Sequence, residues 1–337
     1  ATGERWGDGR QESSQEVGQL MAQPKLHFGA NIALGVADIA KQARWMEELG
    51  GYEYIAAGEH FMRGSPPQPT HASLPVMAVA AGATETLRVL SAVILVPFYH
   101  PTVLARATAS LDMACGGRLT LGVGVGGEYP VEFEAAGLNV KQRGRRTNEC
   151  LEVLRRLWKG EQVTFEGRHF NLKDVAINPP PVQEPHPPVW VSGRRDVAML
   201  RAVRYGDGWF PYFYSPARYR DSVEKIVKYA ADESRDLSNF QWACYLHTTI
   251  YPTQEEAIDV ASEELGGRYQ HGRDFASIVR DYAVAGTVAQ CIDRVQEYID
   301  AGARYIMFSI SCRREDRARH LETIAKEIIP HFQKGSG

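Results

Sequence analysis

The sequence HPTVLARATASLDMACGGRLTLGVGVGG, residues 100–127, carries more structural information than any other stretch of this chain. Its first half spaces apolar side chains three and four residues apart, as in a helix with one buried face. Gly116 and Gly117 end that helix. Residues 119–125 then interleave apolar side chains with glycine, as in a strand buried on both faces. Because small residues let a flat molecule approach the backbone closely, this βα unit indicates an enzyme rather than a scaffold.

The composition excludes several classes of protein. The chain has 337 residues and a net charge of −3, which argues against a nucleic-acid surface, since such a surface needs a clustered basic face. It contains no run of about 18 apolar residues, so we expect no membrane span. Its five cysteines are scattered, without the spacing of a metal site, which predicts reduced thiols in a cytoplasmic protein.

The two ends of the chain differ from the rest. Residues 1–22 are polar and glycine-rich and lack the apolar centre of a signal peptide. We expect them to be a disordered leader or a tag. The final Gly335-Ser336-Gly337 is typical of a loose end. Residues 23–334 are therefore predicted to form the single folded domain.

Strand and helix patterns alternate through that domain. Amphipathic helices, an aromatic hairpin over 163–177, a proline-rich connector and a helical excursion over 253–285 separate the apolar segments. Eight strands and at least eight helices predict an α/β fold, a (β/α)₈ TIM barrel with insertions, with its site at the C-terminal strand ends. The predicted strands are 26–33, 52–60, 87–98, 119–125, 189–192, 209–213, 241–251 and 305–311.

Gly122, Gly124 and Gly127 spell the dinucleotide-binding pattern GxGxxG directly after a strand. The context argues against that interpretation, because three strand units precede it and no acid ends a strand about 20 residues later. We interpret the glycines instead as thinning a barrel strand so that a ring can lie against it.

Several segments together resemble the luciferase-like superfamily of flavin-dependent monooxygenases and deazaflavin-dependent oxidoreductases. The resemblance covers about residues 25–330 in order, and the superfamily's fold is a TIM barrel, in agreement with the strand count. The motifs that carry it are AAGEHF at 56–61, the quoted stretch at 100–127, RRTNECLEVLRRLW at 145–158, PPVWVSG at 187–193, RYGDGWFP at 204–211 and the segment 286–308.

Two groups of residues are candidates for chemistry. Glu59 and His60 end the second strand, where a neutral imidazole could exchange a proton near neutral pH. The alternative is a structural strand-end histidine; the resemblance favours a catalytic His60 with Glu59 as its orienting partner. Ser192, Gly193, Arg194 and Arg195 follow the fifth strand and precede a helix, where amides and guanidinium groups form an anion site. The resemblance implies that this loop holds a cofactor phosphate.

The resemblance also implies how the ring of the cofactor is bordered. Gly124 and Gly126 at the fourth strand exit, with Val96 and Pro97 at the end of the third strand, are expected to lie beside it. A non-proline cis peptide near the third strand is a further expectation.

Two other groups are open to more than one interpretation. We expect Arg143 and Arg146, which start a helix, to be solvated; the alternative is that they contact the cofactor or cap a loop. The aromatic residues at 209–214 could line a substrate pocket or pack in the core.

The resemblance implies three alternative functions. The first is a two-component monooxygenase that uses reduced FMN from a separate flavin reductase, with O₂, on a small organic substrate. The second is a hydride-transfer oxidoreductase that uses a deazaflavin coenzyme. Deazaflavin-dependent members of the superfamily often carry Asp-His followed by a tryptophan in this loop. Here the acid is Glu59 and no tryptophan follows, so the resemblance favours FMN. The third is a flavin-binding protein without activity. A homodimer is usual among such proteins and is expected here.

Overall fold

Twelve strands are present in the described part of the chain. The computed structural model describes residues 25–32, 38–60, 62–63, 70–269 and 272–333. The strands are β1 (His27–Asn31), β2 (Tyr54–Ala57), β3 (Arg88–Ser91), β4 (Ile94–Leu95), β5 (Leu119–Gly124), β6 (Val163–Glu166), β7 (Asn171–Val175), β8 (Val189–Val191), β9 (Gly208–Trp209), β10 (Gln241–Ile250), β11 (Val284–Gly286) and β12 (Tyr305–Ile310).

Eight of these strands close into a parallel barrel. The order around the barrel is β1, β2, β3, β5, β8, β9, β10 and β12. Pairing of β9 with β10 and of β12 with β1 closes the circle, with Gln241 opposite Gly208 and His27 opposite Tyr305. Because parallel neighbours need a crossover, helices cover the outside of the barrel. The (β/α)₈ barrel predicted from the sequence is confirmed.

The helices alternate with the strands as predicted. Helix α5 buries the leucines that its sequence places on one face, and α10 begins with a capping box between Thr287 and Gln290. A π-helical segment, Ile324–Ile328, joins the last two helices. The bounds are α1 (Ile39–Leu49), α2 (Ser73–Ala83), α3 (Pro101–Ala114), α4 (Pro130–Ala135), α5 (Arg143–Trp158), α6 (Asp196–Tyr205), α7 (Pro216–Asp232), α8 (Gln254–Gly266), α9 (Phe275–Tyr282), α10 (Val288–Asp300), α11 (Arg317–Thr323) and α12 (Ile329–Gln333).

Three predicted segments are divided differently. The third strand splits into β3 and β4, and Val96–Phe98 form a 3₁₀ turn instead of strand. The sixth strand is reduced to β9, beyond which only an isolated parallel bridge between Tyr212 and Tyr245 is formed in the described structure. The helical excursion is two helices, α8 and α9, followed by β11, which pairs with β10 outside the closed barrel. The predicted hairpin is confirmed as the antiparallel pair β6–β7.

A buried carboxylate holds the proline-rich connector that leads into β8. Asp112, on α3, is fully buried and accepts hydrogen bonds from the amides of Val182 and Gln183 and from the Gln183 side chain. The segment crosses the N-terminal end of the barrel in this way, so β8 enters with its C-terminal end on the side of the predicted site.

The predicted leader at 1–22 and the final Gly335-Ser336-Gly337 lie outside the described residues. Within the part of the chain that the structure describes, no helix is both long and apolar enough to cross a bilayer.

Candidate functional site

A cavity of about 750 Å³ opens at the C-terminal ends of the barrel strands. This is the end at which TIM-barrel enzymes carry their sites, and the volume is that of a cofactor or ligand pocket. Segments after β1, β2, β3, β5, β8, β9, β10 and β12 all contribute to its wall. The predicted site residues that line it are Glu59, His60, Gly124, Gly126, Ser192, Gly193, Arg194 and Arg195.

His60 is held by a buried carboxylate that the sequence analysis did not identify. Glu132, on α4, is completely buried and lies 3.0 Å from Nδ1 of His60 through Oε2. It also accepts the amide of Met62 at 3.1 Å. The Tyr129 ring meets the imidazole edge to face, with centroids 5.3 Å apart. Because a carboxylate can only accept a hydrogen bond, the contact with Glu132 requires the proton on Nδ1 of His60 and leaves Nε2 for proton exchange.

Glu59 lines the cavity, but its hydrogen bonds tie neighbouring segments of the barrel together. Its carboxylate accepts the Tyr99 hydroxyl at 2.7 Å and the amides of Leu95 and Ser73 at 3.2 and 3.3 Å. Burial raises the pKa of Glu59, and these hydrogen bonds oppose that rise. Glu59 therefore ties β2 to β4 and to the start of α2. The hydrogen-bonding partner that orients His60 is Glu132, which corrects the expectation placed on Glu59.

The glycines of β5 make room for the end of β3 and for Val93. A Cβ on Gly122 would lie 2.0 Å from the Ser91 carbonyl oxygen, and one on Gly124 would lie 2.7 Å from Val93. The expected non-proline cis peptide is present between Ala92 and Val93. The tight approach of β3 to β5 at this point places Ala92 and Val93 in the cavity wall. Strand packing thus explains Gly122, whereas Gly124 also lines the cavity, and its place beside a ring stays a prediction.

Val96 and Pro97 do not take the position expected for them. Both are buried in the 3₁₀ turn after β4, and neither lines the cavity. The carbonyl oxygen of Pro97 accepts the Arg146 Nε at 2.8 Å, and the guanidinium of Arg146 stacks on Phe170. The residues of this strand that face the cavity are Ala92, Val93 and Leu95. The sequence could not show this, because the chain turns between the two groups.

The loop from β8 into α6 forms a concave backbone segment at the cavity wall. Gly193 has φ +142°, and a Cβ there would lie 2.5 Å from the Ala198 side chain, so glycine is needed for this close turn. Helix α6 begins after Arg195 without a side-chain cap. An uncapped helix start can bind an anion, and Arg194 lines the cavity beside it, so the phosphate-binding role expected of this loop stays a prediction that the geometry allows.

Arg143 and Arg201 reach the same region, and for Arg143 this differs from the expectation of a solvated side chain. Arg143 passes over Gly127, where any Cβ would lie 2.8 Å from its Nε, and that Nε has no hydrogen-bond partner in the described structure. Arg201, on α6, is buried and donates to Asn148 at 2.6 Å. Burial lowers the pKa of Arg201. Both side chains line the cavity and add positive charge beside the loop.

The aromatic residues after β9 divide between core and cavity. Trp209 and Tyr214 pack in the core against each other, with ring centroids 5.3 Å apart. Phe210 and Tyr212 line the cavity, and the Arg194 guanidinium lies 5.0 Å from the centre of the Tyr212 ring. Core packing is thus confirmed for Trp209 and Tyr214, whereas a substrate-binding role for Phe210 and Tyr212 stays a prediction.

Barrel and cavity together define the class of this protein: it is a TIM-barrel enzyme. Residues 18–305 match the sequence profile of luciferase-like monooxygenases, and the chain belongs to that family.

Relatives with known activities include both oxygenating and deazaflavin-dependent enzymes. The chain is 27% identical over 324 residues to 4-hydroxyprotoasukamycin monooxygenase of Streptomyces nodosus subsp. asukaensis, covering 86% of this chain and 85% of that protein. It is 26% identical over 321 residues to an F420-dependent glucose-6-phosphate dehydrogenase of Gordonia bronchialis, covering 85% and 91%. Its fold matches monooxygenase RslO1 from Streptomyces bottropensis with a TM-score of 0.78 at 22% identity, covering 91% and 100%.

Proposed function

We propose that this enzyme is a two-component flavin-dependent monooxygenase. It would act with reduced FMN and O₂ on a small organic substrate, with a separate reductase supplying the reduced FMN. The observation that carries the proposal is the cavity itself, which brings the His60–Glu132 pair and the cationic β8–α6 loop to one barrel mouth. The monooxygenase of Streptomyces nodosus, named above, supports the oxygenating alternative.

The residues beside the β8–α6 loop fit a cofactor phosphate. Gly193 and Arg194 offer backbone amides at an uncapped helix start, and the buried Nε of Arg143 is an unused donor. Donors of this kind bind a phosphate dianion through charge-assisted hydrogen bonds. Reduced FMN held there would supply the electrons that activate O₂, while the protein positions the substrate and excludes water.

His60 is proposed to move a proton. Glu132 keeps the Nδ1 proton in place, so Nε2 is the atom that accepts or returns a proton within the cavity. Glu128 also lines the cavity and lies within electrostatic range of His60. Burial raises the pKa of the Glu128 carboxyl, and the charges of His60, Arg194 and Arg63 oppose that rise.

Hydride transfer with a deazaflavin is the second candidate, and similarity to the Gordonia bronchialis enzyme favours it. The same cavity and the same His60 would serve such a reaction. The inactive flavin-binding alternative lacks this support, because the relatives described above are named as enzymes.

A titration separates the candidates. The protein is titrated under anaerobic conditions with FMN, reduced FMN and F420 while its tryptophan fluorescence is followed. We expect saturable binding of reduced FMN, weakened about tenfold or more by Arg194→Met, which removes a charged contact to phosphate. Arg145→Met is the matched control, because Arg145 is exposed and lies on the same basic stretch as Arg143. Saturable binding of F420 alone would overturn the assignment.

Turnover gives the second measurement. Photoreduced FMN is supplied to the enzyme with candidate substrates, and O₂ consumption is coupled to product formation. His60→Ala is expected to abolish product formation while leaving the affinity for reduced FMN unchanged. Unchanged turnover in that variant would remove the role given to His60.

A further inference from the structure

One wall of the cavity is aromatic. Phe210 and Tyr212 follow β9, Tyr245 lies on β10, and Tyr269 follows α8. Phe210 meets Tyr245 edge to face with centroids 5.7 Å apart, and Tyr212 lies 6.4 Å from Tyr269. Rings arranged in this way leave an apolar surface suited to another ring, since offset and edge-to-face contacts are favourable. Burial raises the pKa of Tyr212 to about 12, so its hydroxyl is neutral near pH 7.

Arg63 brings a further positive charge to the same space, where the Glu128 carboxyl lies within electrostatic range but forms no ion pair with it. Its Nε is buried without a hydrogen-bond partner in the described structure, and no carboxylate of the described residues lies within 4.0 Å of its guanidinium. The side chain lines the cavity and lies within electrostatic range of Tyr129 and Tyr245. Because a buried donor without a partner is costly, the Nε of the half-buried Arg63 is suited to an anion that enters the cavity.

The charge at Arg63 is separate from the phosphate site. Arg143, Arg194 and Arg201 surround the β8–α6 loop, whereas Arg63 follows β2, which is three positions from β8 around the barrel. Arg268 also lines the cavity, but Glu264 already neutralises it at 2.8 Å. After the cations near the loop are matched to one phosphate, Arg63 remains for a second anion.

We propose that the substrate is an aromatic carboxylate, with its carboxylate at Arg63 and its ring against Phe210, Tyr212, Tyr245 and Tyr269. This inference rests on the proposed function, because it requires the cofactor phosphate to occupy the β8–α6 loop. A guanidinium matches a carboxylate in a planar, two-point contact, and the aromatic wall supplies the apolar contact area. Neutral aromatic compounds are accordingly expected to bind more weakly than their acids.

The test uses 2-naphthoate and 2-naphthamide, which have the same ring and differ in charge. Both are titrated by calorimetry into enzyme saturated with FMN. We expect 2-naphthoate to bind at least about tenfold more tightly than 2-naphthamide, because the amide lacks the charged hydrogen bond to Arg63. Arg63→Met is expected to abolish that preference, Arg63→Lys to restore part of it, and the exposed Arg145→Met to leave it unchanged.

Each remaining outcome decides the inference. Equal affinity for the two probes, no binding of either probe, a preference that persists in Arg63→Met, or displacement of FMN by 2-naphthoate would overturn it. Circular dichroism and retained FMN affinity verify that both Arg63 variants are folded. Failure of the proposed function appears separately, as an absence of FMN binding. The same two probes are then applied to the F420-loaded enzyme, where the charge preference again supports or overturns the inference.

Discussion

Replacing Glu132 by glutamine tests the contact that gives His60 its proposed role. The Glu132 carboxylate is fully buried and lies 3.0 Å from Nδ1, so it fixes the proton on that nitrogen. Glutamine keeps the shape of the side chain but loses the charge, and its amide group can also donate to Nδ1. A hydrogen bond to a charged group contributes about 1.5–3 kcal/mol, which corresponds to roughly 10- to 150-fold in the tautomer equilibrium or in the rate.

Two measurements follow this change. Nitrogen-15 NMR of labelled histidine reports which ring nitrogen carries the proton, and the His60 signals are identified by their loss in His60→Gln. We expect an Nδ1–H imidazole in the parent enzyme and a shift toward Nε2–H in Glu132→Gln. Product formation with photoreduced FMN is expected to fall between 10- and 150-fold, as the tautomer argument requires, with unchanged FMN affinity.

Glu134→Gln provides the matched control, because Glu134 lies two residues further on α4 and is exposed. It should leave both the tautomer and the turnover as they are in the parent. The reasoning is refuted if Glu132→Gln is folded and retains turnover within twofold, or if the His60 tautomer does not change.

Three further predictions concern stability. Gly122→Ala places a Cβ 2.0 Å from a β3 carbonyl oxygen and should destabilise the protein by about 3 kcal/mol, seen as a lower melting temperature. The control is Gly82→Ala, in open space on α2, which should be neutral or stabilising. Equal effects of the two substitutions would contradict the packing argument. Burial lowers the pKa of His247 to about 3. The unfolding free energy therefore falls by up to about 1.4 kcal/mol per pH unit as the pH drops from about 6.5 toward 3. Urea titrations should show that His247→Phe removes this contribution to the pH dependence of stability. Burial opposes ionisation of Glu47, but hydrogen bonds from residues 85–87 lower its pKa to about 2, so the stability that they contribute above pH 4.5 is lost on acidification. Glu47→Gln should lower the free energy of unfolding by about 1 kcal/mol at pH 7 and by less at pH 3. An equal loss at both pH values would disprove this prediction.

The barrel was readable from the sequence because its signal is local. Each buried strand is a short apolar run, and each covering helix repeats at the helical period, so eight units could be counted without tertiary information. The hairpin predicted over 163–177 is likewise present as the pair β6–β7. The interruption of the third strand left no such signal, because residues 89–98 are apolar apart from Ser91, whether they pair, turn or pack.

The site was readable in part. His60 and the β8–α6 loop follow buried strands, and the C-terminal ends of parallel strands converge, so their proximity could be predicted. Glu132 could not be found in this way, since it lies 72 residues from His60 on a short helix whose pattern, PVEFEA, is typical of a surface segment. The position of Glu132 beside the apolar Phe133 was only a weak indication that its carboxylate is buried, because the sequence does not show which face of a two-turn helix points inward.

The sequence by itself determined the barrel, its closed order of strands and the end at which the cavity opens, because these follow from periodicity and from the handedness of parallel crossovers. The tertiary structure decided which carboxylate contacts His60, which glycines accommodate a neighbouring strand, and which arginines face the cavity. Those outcomes depend on packing between residues that are distant in the chain: Glu132, 72 residues away, contacts the His60 imidazole, whereas the adjacent Glu59 accepts the Tyr99 hydroxyl.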